Sequence, residues 1–223
     1  MTFGSVFGRT FSPTFQPKSQ AGDKWWLSGG IAAANCIGAY QAKGAADLAA
    51  SYVNLVNPGT YNITNAGNAP TWNAESGWNF VAATQSKLLT GIAPGAASRS
   101  WSMIIRYSSA STAGVLMGHS KLGTFFFIQP LRTGGVGYYN GTDGVTVSPQ
   151  LAGGVLAIAG TKGYRNGTFD GDLAGSAGNV LDIGIGWAIF ADYITANVQA
   201  VAIYNEVLTS TQVASLTTAM AAL

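Results

Sequence analysis

The sequence predicts an antiparallel β-sandwich, mainly β in content, and three observations carry the prediction. After Gly59 the chain breaks into short β-prone runs divided by turn residues: SWSMIIRY, GVLMGH, TFFFIQPL, GVGYYNGTDGVTV, GVLAIAGTKGYRNGTFDG, VLDIGIG and VQAVAIY. Such spacing points to a sandwich rather than to alternating strands and helices. Within SWSMIIRY the period is two, with Trp101, Met103, Ile105 and Tyr107 on one face and Ser102, Ile104 and Arg106 on the other. Asn140-Gly141 and Asn166-Gly167 are pairs that a two-residue hairpin turn requires, because both residue types accept positive φ.

The elements follow in chain order. Residues 1–24 read as an extended N-terminal arm and linker, in which Phe3, Phe7, Phe11 and Phe15 recur every four residues while Gly4, Gly8 and Pro13 exclude a helix. In an extended chain these rings share one side, about 13 Å apart, which suits an assembly arm that buries them on a neighbouring subunit. The domain is residues 25–223. From Ile31 to Val56 the Ala-rich sequence predicts short N-terminal helical segments, divided at Gly44 and ended at Pro58. The β region then occupies about residues 60–223, with FDGDL read as a turn. Near the end, Thr209 and Gln212 have capping-box spacing, and Val213, Leu216, Met220 and Leu223 recur at helical intervals. They predict a C-terminal helix that packs on the sandwich through Val213 and Leu216.

Composition narrows the function classes. Charged residues make up 9% of the 223 residues, against about 25% in a typical soluble domain, and Gly counts 30. A neutral surface of this kind suits close neighbours, so the expected partners include other copies of the chain in a homo-oligomer and neighbouring structural proteins. The net charge of +2, with Lys and Arg unclustered, argues against nucleic acid. No apolar run reaches about 18 residues, so membrane insertion is not expected. The lone Cys36 sits in the apolar run IAAANCIGAY and reads as a buried structural thiol.

The order SWSMIIRY, GVLAIAGTKGYRNGTFDG, VLDIGIG and NVQAVAIYNEVLTSTQVASL resembles the laminin G-like, concanavalin A-like jelly-roll domains. In that family a strand such as Tyr164-Arg165 runs into an Asn-Gly turn, here Asn166-Gly167, and a late strand of the type AVAIYNEVL leads into a short helix. The resemblance covers roughly residues 60–223 and implies two antiparallel sheets with loops at the rim. The opening WWLSGGIAAANCIGAYQAKGAADLAASYVNLVNPGTYN is similar to that of such domains in bacteriophage particle proteins and environmental bacterial surface proteins. That similarity implies a virion or extracellular surface assembly. Many laminin G-like domains bind calcium through rim oxygens, for which Asn140 with Asp143, and Asp170 with Asp172, are the candidates; no other cofactor is expected.

Catalysis finds little support in the residues. Retaining glycosidases on this fold need two carboxylates about 5 Å apart in one cleft. Here the only glutamates, Glu75 and Glu206, are far apart in sequence, and His119 has no nucleophile motif beside it. Three readings therefore stand: a non-enzymatic structural protein of a virion or surface assembly, a carbohydrate-binding module, and a degenerate glycosidase. The first is the leading reading, with weak glycan adhesion compatible with it. For sugar contact the sequence offers the exposed-loop aromatics Trp72, Trp78, Tyr139 and Trp187. Rings mix with polar groups in two loops, one holding Trp72, Asn73, Glu75 and Trp78, the other Tyr139, Asn140 and Asp143; the competing reading makes Trp72 and Trp78 core rings and Asn140 a plain turn former.

Overall fold

The computed structural model describes residues 24–121, 124–187 and 192–223. The arm phenylalanines Phe3, Phe7, Phe11 and Phe15 lie outside the described residues. In chain order the strands are β1 (Cys36–Gln41), β2 (Thr64–Asn65), β3 (Thr71–Asn73), β4 (Gly77–Phe80), β5 (Leu88–Leu89), β6 (Ser102–Ala110), β7 (Met117–Lys121) and β8 (Thr124–Arg132). They continue with β9 (Gly135–Gly141), β10 (Gly144–Val147), β11 (Gly154–Ala159), β12 (Lys162–Arg165), β13 (Thr168–Asp172), β14 (Gly184–Ile185) and β15 (Ala196–Tyr204). The α-helices are α1 (Leu48–Ser51) and α2 (Ser210–Ala221).

The strands form two antiparallel sheets stacked as a jelly-roll sandwich. The first runs β13-β12-β11-β6-β15-β4-β3, and the second runs β10-β9-β8-β7-β14-β5-β2. Strand β15 organises the first sheet: one edge pairs with β6 along its length, while the other is shared by β4 at Ala196–Val198 and β1 at Ala200–Tyr204. Alternation in SWSMIIRY falls as the sequence predicts, with Met103, Ile105 and Tyr107 in the core between the sheets and Trp101 half-buried against it.

The outer face of the first sheet carries small residues in register. Ala39, Ala202, Ile104 and Ala157 form one row across β1, β15, β6 and β11, flanked by Ala200 and Ala159. Their shortness leaves room for a third layer, in which Val213, Leu216 and Met220 of α2 pack with Trp25 and Trp26. The capping box is present: the Thr209 side chain accepts from the Gln212 amide and the Gln212 side chain accepts from the Thr209 amide. At the other end the Arg106 guanidinium donates to the Met220 carbonyl, among the orphan carbonyls of the last turn.

Three local expectations need correction. The segment IAAANCIGAYQAK is not helical but a 3-10 turn, Ala33–Asn35, followed by strand β1. Its alanines favour helix intrinsically, yet the free edge of β15 and the small-residue face beneath α2 select an extended chain, with Tyr40 inward and Ala39 outward. Only α1, capped by Asp47, remains of the expected helices in that region. FDGD is strand β13 rather than a turn. Asn166 and Gly167 both have positive φ, at 48° and 81°, as their hairpin requires. The other hairpin closes one residue later than expected, because the Asn140 amide donates to the Asp143 carbonyl and leaves Gly141-Thr142 as the loop.

The third layer yields a stability test. Leu216→Ala is expected to cost about 2–5 kcal/mol by emptying a fully buried site. Ala202→Leu is expected to cost about 1–3 kcal/mol by prying α2 off the sheet. Urea unfolding of the two variants beside the unchanged chain checks both.

Candidate functional site

The second sheet has the same two-sided logic with a different outcome. One pairing row, Val145-Tyr138-Ile128-Met117-Ile185-Leu88, points into the core, and its members from Tyr138 to Leu88 are fully buried. The adjacent row, Gly144-Tyr139-Phe127-Gly118-Gly184-Leu89-Thr64, crosses all seven strands on the outer face. Aromatic rings sit on that face where α2 sits on the other sheet.

Two ring groups stand along it. On β8 and β9, Phe127 stacks on Tyr139 with centroids 4.4 Å apart and planes at 20°. Phe125 meets both edge-on, each at 5.7 Å. The Arg132 guanidinium lies 4.8 Å from the Tyr139 ring centre, and Gln129 accepts its hydrogen bond. Tyr139 can lie low because Gly144 has no side chain: a Cβ there would stand 2.4 Å from Tyr139 Cδ1. Around β14, Trp187 stacks with Tyr193 at 6.5 Å, and Lys87 Nζ lies 4.6 Å over the Trp187 ring. Trp187 covers Gly184 in the same way, with Cε3 at 3.2 Å from where a Cβ would stand. Phe125, Tyr139, Trp187 and Tyr193 are each half-buried, while Phe127 is buried among its neighbours.

The residues expected from sequence divide sharply. Trp78 is fully buried and its indole N–H donates to Ser51 Oγ at 2.8 Å, so it is a core ring and not a contact residue. Asn140 is also fully buried, its amide bracing the Ser98 and Gly160 carbonyls. Trp72 is half-buried, with its N–H donating to the Ala42 carbonyl. Asn73 accepts from the Glu75 amide and forms the turn, while Glu75 is exposed. Asp143 accepts from the Gly144 amide. The two loops do not converge: β10 touches β13, which places the Tyr139 hairpin at the edge of the sandwich opposite β3 and Trp72. Tyr139 and Trp187 do lie on the ring face.

Phe125, Phe127, Tyr193, Arg132 and Lys87 escaped the sequence reading. For the phenylalanines a signal was present in TFFFIQPL. Period two sends Phe126 and Ile128 one way, so Phe125 and Phe127 must face the other.

Neither Asp170 with Asp172 nor Glu75 with Glu206 projects into a shared space. Between Phe169 and Gly171 the pairing with β12 shifts register, and this bulge turns Asp170 inward while Asp172 is exposed opposite Lys162. Arg165 Nε and the Tyr138 hydroxyl each lie 2.9 Å from Asp170 Oδ2. Burial and this carboxylate push the Tyr138 phenol up. Asp170 and Asp172 therefore do not share a calcium site, and the Arg165 guanidinium occupies the position a cation would need. Glu75 follows β3, and Glu206 lies beyond the far end of β15, about 20 Å away along the strand, where it accepts from Asn35. His119 is buried. Among the described residues no group of three or more His, Cys, Asp or Glu could hold a metal, and no helix is long and apolar enough to cross a membrane.

No protein-family model matches the chain, and no curated protein matches it. Solved structures do. Domain 4 of AbnA, a GH43 extracellular arabinanase from Geobacillus stearothermophilus, in complex with arabinotriose, has a TM-score of 0.56 at 14% identity over 82% of this chain and 98% of that one. The binding domain of botulinum neurotoxin DC in complex with SialylT has a TM-score of 0.55 at 11% identity, over 85% of this chain and 52% of that one. A Trypanosoma rangeli sialidase gives 0.53 at 14% identity, over 82% and 32%. The likeness is one of fold. The chain spans about half of the toxin chain and about a third of the sialidase chain.

One titrating group sits beside the face. Burial pushes the Asp182 carboxyl up, against the hydrogen bonds it accepts from Gly91 and Thr90. The folded state thus holds its proton more tightly than the unfolded chain, so the contribution is favourable in acid and is lost as pH rises through the raised pKa. Asp182→Asn is therefore expected to be more stable than the unchanged chain at neutral pH. The gap should close below the usual carboxylate range of about 4, as read by urea unfolding across pH.

Proposed function

We propose that the chain is a non-catalytic glycan-binding module that engages sugar through the ring-lined outer face of its second sheet. The observation that carries this is the asymmetry of the sandwich. One outer face is closed by α2, whereas the other presents Phe125, Tyr139, Trp187 and Tyr193 with Gln129, Arg132 and Lys87 among them. A sugar offers an apolar C–H face fringed by hydroxyls, and flat rings interleaved with hydrogen-bonding groups match that chemistry. Fold neighbours solved with arabinotriose and with SialylT support the same reading. Carriage on an extracellular or particle-borne assembly would suit it, since many linked copies raise weak single-site binding about 10²–10⁴-fold. The assembly role itself rests on the arm and on the sparse surface charge.

A glycan array probed with the whole chain tests the proposal. Phe125→Ala and Trp187→Ala are each expected to weaken binding roughly 2–10-fold, the worth of one ring contact. Glu75→Gln, on the opposite edge, should leave it unchanged. Binding by no glycan, or binding indifferent to both ring substitutions, would refute the face as the site.

A further inference from the structure

We infer that Tyr61 is a further sugar-contact residue at the β2–β5 edge of the ring face, and that the occupant of this face is an extended neutral oligosaccharide rather than one terminal sugar. The inference rests on the glycan reading above.

It starts from a backbone outlier. Among the described residues three that are not glycine have positive φ: Tyr61 at 57°, Gln85 at 56° and Asn166 at 48°. Asn166 is a type this region tolerates and occupies a hairpin turn, while Gln85 closes a short 3-10 turn. Tyr61 is a bulky aromatic, for which the conformation is strained. The strain is imposed by neighbours that do not need the ring. Buried Asn54 accepts from the Ala39 and Val56 amides and donates to the Ile37 and Thr60 carbonyls. Asn62 accepts from the Asn54 and Gly59 amides, and the Tyr40 hydroxyl donates to the Tyr61 carbonyl at 2.6 Å.

These bonds fix the main chain and leave Tyr61 46% exposed. A glycine or asparagine would satisfy the same loop with less strain. Strain held in place this way gathers at ligand sites, because the surroundings can keep a side chain where folding alone would not.

Position supplies the ligand class. Gly91, directly after Thr90 at the end of β5, would place a Cβ 3.5 Å from Tyr61 Cδ1, and Thr64 opens β2 three residues after Tyr61. Thr64 and Leu89 continue the outer row that leads through Gly184 and Gly118 to Phe127 and Tyr139. From β9 to β2 this row spans five strand spacings, about 24 Å. One sugar cannot touch both ends, whereas a chain of several can follow the row from Tyr139 past Trp187 to Tyr61. No member of the row is charged, which matches a neutral chain, and Arg132 and Lys87 stand beside the row over the Tyr139 and Trp187 rings.

The test titrates the whole chain with oligosaccharides of increasing length, fractionated from soluble arabinan and from soluble β-glucan. Affinity should rise with length. Tyr61→Asn is expected to raise the thermal midpoint yet weaken the longest chains about tenfold, leaving the shortest unchanged, and Tyr61→Phe should bind as the unchanged chain does. A lower midpoint in Tyr61→Asn would make the ring structural and overturn the inference. Undiminished long-chain binding by Tyr61→Asn, with Phe125→Ala and Trp187→Ala weakened, would overturn it while sparing the glycan reading. Affinity independent of length would overturn the extended occupant. Failure of the unchanged chain to bind either series, with a glycan bound on the array, would overturn the extended neutral occupant and spare the glycan reading; binding by no glycan at all would overturn both.

Discussion

The arrangement depends on one packing constraint, the closeness with which α2 approaches the first sheet. Ala39, Ala202 and Ala157 share a pairing row with Ile104, and Ala200 and Ala159 flank it, so the sheet there is nearly flat. A helix can then bury Val213, Leu216 and Met220 against it, and each fully buried side chain of this kind contributes about 1.5–3 kcal/mol. With the apolar outer face of the first sheet closed, the sandwich core and the helix layer together supply the burial that folding needs. The second sheet is thereby free to present rings on its outer face without being obliged to carry a further layer.

Both sheets obey the alternation of side chains along a strand, and the difference between them lies in what occupies the outward positions. On the first sheet these are alanines that admit a helix. On the second they are glycines interleaved with rings, so that Tyr139 lies across Gly144 and Trp187 across Gly184. A glycine beside an aromatic ring on a sheet lets the ring lie low along the surface.

Legibility in the sequence followed physical locality. The terminal helix, its capping box, the Asn166-Gly167 turn and the alternation of SWSMIIRY are set by residues within one turn or strand of each other, and each was readable. Strand β1 was not, because its identity depends on the free edge of β15, some 160 residues downstream in sequence, and alanines alone favour helix. The site was half legible for the same reason. Tyr139 and Trp187 could be named as rings, but only the pairing of β8 with β9 and of β7 with β14 shows that they share a face with Phe125 and Phe127. Trp78 and Asn140 stay open between core and contact in the sequence because ring and amide chemistry look alike in a core and in a binding loop; burial distinguishes them, and burial is a tertiary property.

The acidic strand shows how alternating carboxylates can serve edge protection rather than chemistry. Thr168–Asp172 is the outermost strand of the first sheet, and an exposed edge invites pairing with another chain, a particular hazard when charged residues are only 9% of the sequence. The bulge at Asp170 bends this edge and turns a carboxylate inward, where Arg165 and Tyr138 receive it. Arg165 also donates to the Val147 and Pro149 carbonyls, and so ties the edge of the first sheet to β10 at the edge of the second. At the opposite side the edge strands β3 and β2 are only three and two residues long, too short to template pairing. Alternating carboxylates on an outer strand would suggest a hydrolytic pair if the register were regular. Because the register is broken between them, Asp170 closes the sandwich against Arg165 and Tyr138, and Asp172 keeps a charge at its rim.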